Sequence, residues 1–221
     1  MNDHIVIVTG ATPIPERVAA LVPDAAIVLG VDSGFDHALA AGLRPNGLIG
    51  DLDSVSDDGR AWAEEHATIS RHPADKNETD TELAVAFAAG MAPAWLTMIG
   101  GGDRLDHTIA AIGSLAAPAA TSIPRIDAWW NGQHIEVMHG PSRRTLSLTP
   151  ESTLSLLVLG RPCDGVSISG VRWPLDGIRL EPVVGLGVSN EVTDAAGDVS
   201  ISISSGVLSV FDHPLVESTT D

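Results

Sequence analysis

Asp51 and Asp53 stand one residue apart in the segment Gly50-Asp51-Leu52-Asp53-Ser54. In an extended continuation of the apolar pair Leu48-Ile49, alternate side chains point the same way, so the two carboxylates would share one side. Two unneutralised carboxylates held together repel, and one takes up a proton unless a cation sits between them. Mg²⁺ suits such a pair, because it takes oxygen ligands and binds one or two carboxylates plus substrate phosphates. The competing reading is a solvated acidic turn. Asn46-Gly47 before the segment and Ser56-Asp57-Asp58-Gly59 after it are turn-forming, and acidic triplets are common in loops.

Two further stretches carry chemistry. Asp75-Lys76-Asn77-Glu78-Thr79-Asp80 precedes an alanine-rich run, with Thr79 or Asp80 placed as a helix N-cap. Capping explains one of these residues but not the combination of Lys76 with Asp80. The positive end of a helix is also where phosphate or a metal–phosphate complex binds. Gly100-Gly101-Gly102-Asp103-Arg104-Leu105-Asp106-His107 has the same layout, a glycine loop opening a helix. Glycines let backbone N–H groups approach phosphate oxygens, and Arg104 offers a forked donor for them. Asp106 would cap the helix or hold Arg104 or His107. His107 reads as an orienting residue rather than a general base, since no nucleophile lies near it in sequence. Signatures of P-loop, dinucleotide-binding and serine-hydrolase sites are absent from the chain.

The elements that must position these groups alternate. Apolar runs at Ile5–Val8, Ala25–Gly30, Leu48-Ile49 and Trp95–Ile99 read as strands, with a further short strand at Thr68–Arg71. Helical patterns lie between and after them, at Pro15–Leu21, Phe35–Ala41, Gly59–His66, Thr79–Ala89 and Leu105–Leu115. Such alternation implies an N-terminal α/β domain, residues 1–132, with a mainly parallel sheet covered on both faces. Ligands of such sheets sit outside the carboxyl ends of the strands. Asp32, the Asp51–Asp53 loop and the glycine run before Arg104 all follow expected strand ends and would converge on one edge. After about Asn131 the texture changes to Gly, Ser and Val with period-two alternation at Thr153–Leu159, Val199–Ile203 and Val207–Phe211. Residues 133–221 therefore read as a C-terminal all-β sandwich domain, with a polar, frayed tail from Glu217.

The formal net charge of −17 argues against a nucleic acid or an anionic membrane face as partner. It leaves room for a cationic substrate or for an anion delivered as its magnesium complex. No apolar run is long enough to span a bilayer, and the start of the chain lacks a signal-peptide pattern. The single cysteine, Cys163, forms no internal disulfide and no zinc cluster. These features together give the expectation of a cytoplasmic protein.

In order and spacing, Asp32-Ser33-Gly34, then Gly50–Ser54, then Lys76 with Thr79-Asp80 and Glu82, then Arg104–His107, resemble the thiamine pyrophosphokinase (thiamine diphosphokinase) family. In the second half, Gly170-Val171-Arg172-Trp173-Pro174-Leu175 and Gly187-Val188-Ser189-Asn190-Glu191 resemble the two signature segments of that family's thiamine-binding domain. The resemblance spans nearly the whole chain. It implies transfer of the diphosphoryl group of ATP to the hydroxyl of thiamine, with Mg²⁺ as cofactor. It implies Asp51, Asp53 and Asp80 as the metal-holding and catalytic carboxylates, with Asp80 or Asp53 taking the alcohol proton. Asp32, Ser33, Gly34, Ser54, Lys76, Thr79, Arg104, Asp106 and His107 are implied to bind ATP, and Trp173, Ser189 and Asn190 to bind thiamine. A homodimer with composite active sites is implied as well, since the two groups of residues lie in different domains joined by a short linker near Asn131. Asn77, Asp103 and Ala111 depart from the family's usual residues and bear on nucleotide contacts. The alternatives are a diphosphokinase for another alcohol, such as a hydroxymethylpterin, or a non-catalytic binding protein on the same fold.

Overall fold

Ile5, Val6, Ile7 and Val8 are buried in succession, without alternation, as a parallel strand covered on both faces requires. The same holds for Gly47–Gly50, whose four residues are all buried. The computed structural model describes residues 3–213, so the expected tail from Glu217 lies outside the described residues. Two compact units divide the chain, Met1–Gly132 and Gln133–Asp221.

In the first unit the elements run β1 (His4–Val8), α1 (Glu16–Ala19), β2 (Ile27–Val31), α2 (Gly34–Ala40), β3 (Gly47–Gly50) and α3 (Asp57–His66). They continue with β4 (Thr68–Arg71), α4 (Asp80–Gly90), β5 (Trp95–Gly100), α5 (Leu105–Ser114), a 3-10 turn (Pro118–Ser122) and β6 (Arg125–Trp130). The six strands lie in the order β6-β5-β1-β2-β3-β4, with every pairing parallel. Val6, Val8, Val28 and Ile99 pack with Val18 and Ala38 as one apolar cluster. A second cluster joins Phe35, Leu48, Leu52, Val55 and Ala63. The chain winds from β1 out to β4, then returns to place β5 on the other side of β1. A crevice at the carboxyl ends of β1 and β5 is the expected ligand position of such a sheet.

In the second unit alternation governs: β13 (Asp198–Ile203) buries every second residue, as a strand with one covered face does. Its partners are β7 (Gln133–His139), β8 (Ser142–Ser147), β9 (Thr153–Leu157), β10 (Cys163–Ser169), β11 (Leu175–Leu180), β12 (Asn190–Glu191) and β14 (Val207–His213). They form two antiparallel sheets, β12-β9-β14-β7 and β11-β10-β13-β8. Leu154, Leu156, Leu208 and Val210 of one sheet pack with Val166, Ile168, Val199 and Ile201 of the other. Strands β10 and β11 escape the alternation pattern because their register shifts between Cys163 and Val166 and again before Ile168. Among the described residues no helix is long and apolar enough to cross a membrane.

Candidate active site

The carboxyl ends of the parallel strands bring the acidic groups together. Asp32 follows β2 with φ 49°, a left-handed conformation that Asp tolerates better than most residues. Its carboxylate lies against the backbone of Gly50, where any Cβ would collide with it, and Gly50 itself has φ 145°. That close approach requires glycine at the head of the acidic loop. The Leu52 backbone N–H favours the charged form of the Asp32 carboxyl. Burial first, then the charges of Asp80, Asp51 and Asp53, push the Asp32 carboxyl up to about 6. These four carboxylates therefore form one electrostatic cluster.

The extended geometry expected for Gly50–Ser54 is not what the loop adopts. Leu52 has φ 71°, and Asp51 Oδ1 accepts a hydrogen bond from Asp53 N–H at 3.0 Å. Strand alternation thus stops at Gly50, and a side-chain-supported turn sets the two carboxylates instead. Apolar burial drives the change, since Leu52 is 8 % exposed and packs into the cluster around Phe35.

Thr79 is the N-cap of α4 in a complete capping box: its Oγ1 accepts from Glu82 N–H at 3.2 Å, and Glu82 Oε2 accepts from Thr79 N–H at 2.8 Å. This fixes Asp80 at the first helical position. Lys76 Nζ pairs with Asp80 Oδ2 at 3.0 Å and donates to Pro73 O at 2.9 Å, which leaves one of its three donors. Asp32 Oδ1 and Asp80 Oδ1 are buried without a hydrogen-bond partner. Buried carboxylate oxygens left unpaired are costly. An all-oxygen set with two such orphans fits a hard divalent cation.

Beside the cluster lies a cavity of about 490 Å³. Thr9–Ala11, Asp32, Ser33 and Ser54 line it, with Thr79–Thr81, the loop Gly101–Arg104, and His107, Ala110 and Ala111 of α5. Gly10 has φ 90° and meets the Gly101 carbonyl so closely that a side chain there is excluded. Ser33 N–H donates to Ser54 Oγ at 3.2 Å, and Ser33 Oγ to Gly10 O at 3.3 Å. Gly102 N–H is already taken by Asn131 Oδ1 at 3.0 Å. The glycine loop is therefore anchored there rather than offering that donor. Arg104 reaches Asp106 Oδ2 at 2.6 Å, with both side chains largely exposed, so the pair holds Arg104 only weakly. The Arg104 hydrogen bond keeps the Asp106 carboxyl below its ordinary range. Arg104, not Asp106, occupies the N-cap position of α5.

Of the residues singled out from the sequence, Asp32, Ser33, Ser54, Thr79, Asp80, Arg104 and His107 line the cavity. Asp51, Asp53 and Lys76 are not among its lining residues; the charges of Asp51 and Asp53 raise the Asp32 carboxyl, and Lys76 pairs with Asp80. Gly34 opens α2 with its Cα packed on the Val8 carbonyl. Thr9, Thr81 and Asn131 were not singled out. Thr9 and Thr81 share a hydroxyl hydrogen bond of 2.9 Å, a contact between distant threonines that sequence spacing does not signal.

In the second unit, Asn190 Oδ1 accepts from Trp173 N–H at 3.0 Å and from Glu191 N–H at 3.0 Å, while Nδ2 donates to Trp173 O at 2.7 Å. Asn190 is buried and acts as a clamp on the Trp173 backbone. Ser189 has φ 58° and donates its N–H to Ser155 Oγ at 3.1 Å. Trp173 is 54 % exposed, with the Arg172 guanidinium 4.9 Å from its ring centroid. It is not a core residue.

The fold is one already seen in solved structures. The crystal structure of thiamine pyrophosphokinase from Bacillus subtilis superposes with a TM-score of 0.77 at 24% identity, covering 96% of this chain and 99% of that one. Thiamin pyrophosphokinase from Candida albicans gives a TM-score of 0.74 at 14% identity, covering 96% of this chain and 90% of that one. In sequence, residues 18–126 match the family described as thiamin pyrophosphokinase, catalytic domain, and residues 138–208 match the thiamin pyrophosphokinase, vitamin B1 binding domain. The Bacillus subtilis (strain 168) thiamine pyrophosphokinase is 27% identical over 183 residues, 81% of this chain and 84% of that one. The chain belongs to the thiamine pyrophosphokinase family of enzymes.

Proposed function

We propose that the chain is a thiamine diphosphokinase that uses ATP as donor and Mg²⁺ as cofactor. The observation that carries the reading is the four-carboxylate cluster, with orphaned oxygens on Asp32 and Asp80, beside the cavity at the carboxyl edge of the sheet. In this reaction the thiamine hydroxyl oxygen bonds to the β-phosphorus of ATP, the bond between the α- and β-phosphates breaks, and AMP leaves. When bound, Mg²⁺ on Asp51, Asp53 and Asp80 supplies charge neutralisation on the phosphates. Lys76 and Arg104 hold phosphate oxygens, the former through its remaining donor. Asp53 or Asp80 accepts the alcohol proton. Trp173, exposed and held by Asn190, offers an aromatic face to the cationic thiazolium.

The working unit in this reading is a homodimer with composite sites, as the family resemblance implies, and two-fold dimers are the commonest oligomers. The exposure of Trp173, Val183, Val184, Leu186 and Val188 on the second unit supports a covered surface there. Co-expressing Asp51→Asn and Trp173→Ala chains tests the arrangement: composite sites regain activity in mixed dimers, and self-contained sites do not. The activity itself is tested by an acceptor panel of thiamine, a hydroxymethylpterin and simple alcohols with magnesium ATP. AMP release confined to thiamine is expected, and release confined to the pterin would overturn the reading.

A further inference from the structure

Leu52 separates the two carboxylates of the acidic loop, and its φ of 71° is unfavourable for a branched side chain. The surrounding structure must therefore hold it there. Its carbonyl accepts from Arg60 Nη2 at 3.1 Å, and the same nitrogen donates to Val55 O at 3.3 Å. Arg60 lies in the first turn of α3, whose N-cap Ser56 is tied to Asp36 of α2. Ser56 N–H reaches Asp36 Oδ2 at 2.8 Å, and Ser56 Oγ reaches Oδ1 at 2.6 Å. The acidic loop is thus gripped at Leu52, Val55 and Ser56. Arg60 Nε is buried with no partner, a cost that a solvated arginine would avoid. Stability alone does not account for a guanidinium in this place.

We propose that Arg60 is a positioning residue for the carboxylate pair. By holding the Leu52 and Val55 carbonyls it keeps the left-handed turn that sets Asp51 and Asp53 for the divalent cation. Its grip is backbone-directed, so no carboxylate is consumed in an ion pair with it. The inference rests on the metal reading above.

The test uses Arg60→Met and Arg60→Lys in the full chain, with Mn²⁺ alone as the probe. Paramagnetic resonance of free Mn²⁺ gives the affinity, and hydrogen exchange of metal-free protein reports the amides of residues 51–56. Arg60→Met is expected to speed exchange in that segment about tenfold and to raise the Mn²⁺ Kd about tenfold. Arg60→Lys, which restores a charged donor at shorter reach, should fall between the wild type and Arg60→Met, at roughly threefold. Where Arg60→Met does not fold, Arg60→Lys decides, and a Kd equal to the wild type overturns the proposal. Faster exchange with unchanged Mn²⁺ affinity in Arg60→Met would show a purely structural brace and overturns it as well. A wild type that takes up no Mn²⁺ refutes the metal reading itself, an outcome distinct from equal binding by wild type and variants.

Discussion

Replacing Asp32 by Asn should make the metal-free protein more stable at neutral and alkaline pH. The Asp32 carboxyl is raised from its ordinary 3.8 to about 6 by burial and by the charges of Asp80, Asp51 and Asp53. A carboxyl raised in the folded state is more protonated there than in the unfolded chain between those two values. Stability therefore falls as pH rises through that window, and the full penalty is present above about 6. At about 1.4 kcal/mol per pH unit the shift corresponds to about 3 kcal/mol. Partial solvent contact reduces the net effect to roughly 1–2 kcal/mol. Asn keeps an oxygen for Leu52 N–H and suits the left-handed φ of 49°. One polar atom stays unpaired in both forms, so that cost cancels. Calorimetry in chelator at pH 8 should show a melting temperature raised by roughly 3–6 °C. The difference should fade through that window and vanish well below 3.8, where the carboxyl is protonated in both the folded and the unfolded chain. Equal melting temperatures at pH 8, or parallel pH profiles, would refute the raised Asp32 carboxyl and the penalty of burial and neighbouring charge behind it.

Changing Asp51 or Asp53 to Asn should lower turnover about a hundredfold at saturating magnesium, with circular dichroism unchanged. Trp173→Ala should raise the thiamine KM, leave the ATP KM alone and barely move the melting temperature, because the side chain is 54 % exposed. A melting temperature lowered as for a core aromatic, with an unchanged thiamine KM, would contradict that role. Thr79→Ala removes half of the α4 capping box and should cost about 1 kcal/mol in denaturant titrations.

The parallel sheet was legible because its inner strands β1, β2, β3 and β5 are largely buried on both faces and so appear as short apolar runs ending in turn residues. Asp32 and the glycine loop before Arg104 could be placed at strand ends for that reason. The sequence narrowed the N-cap of α4 to Thr79 or Asp80, and the capping box with Glu82 selects Thr79. The shape of the acidic loop was not, because alternation assumes an extended chain and the burial of Leu52 overrides it. Arg60, Asp36 and Asn131 were invisible for another reason. Arg60 and Asn131 bind backbone groups, and Asp36 binds a serine twenty residues away, contacts that leave no spacing in the sequence. Strand β6 went unread although Pro124 precedes it and Asn131-Gly132 follows it, because Arg125 and Asp127 interrupt its apolar run. Strands β10 and β11 were hidden by the register shifts that break their alternation.

Phosphorus-31 resonance of a single reaction tests the central claim most directly. The purified chain is mixed with ATP, thiamine and magnesium, and the phosphorus products are followed with and without chelator. Diphosphoryl transfer predicts AMP and thiamine diphosphate in equal amounts, abolished when magnesium is chelated. ADP with thiamine monophosphate, or no thiamine-dependent change at all, would contradict it.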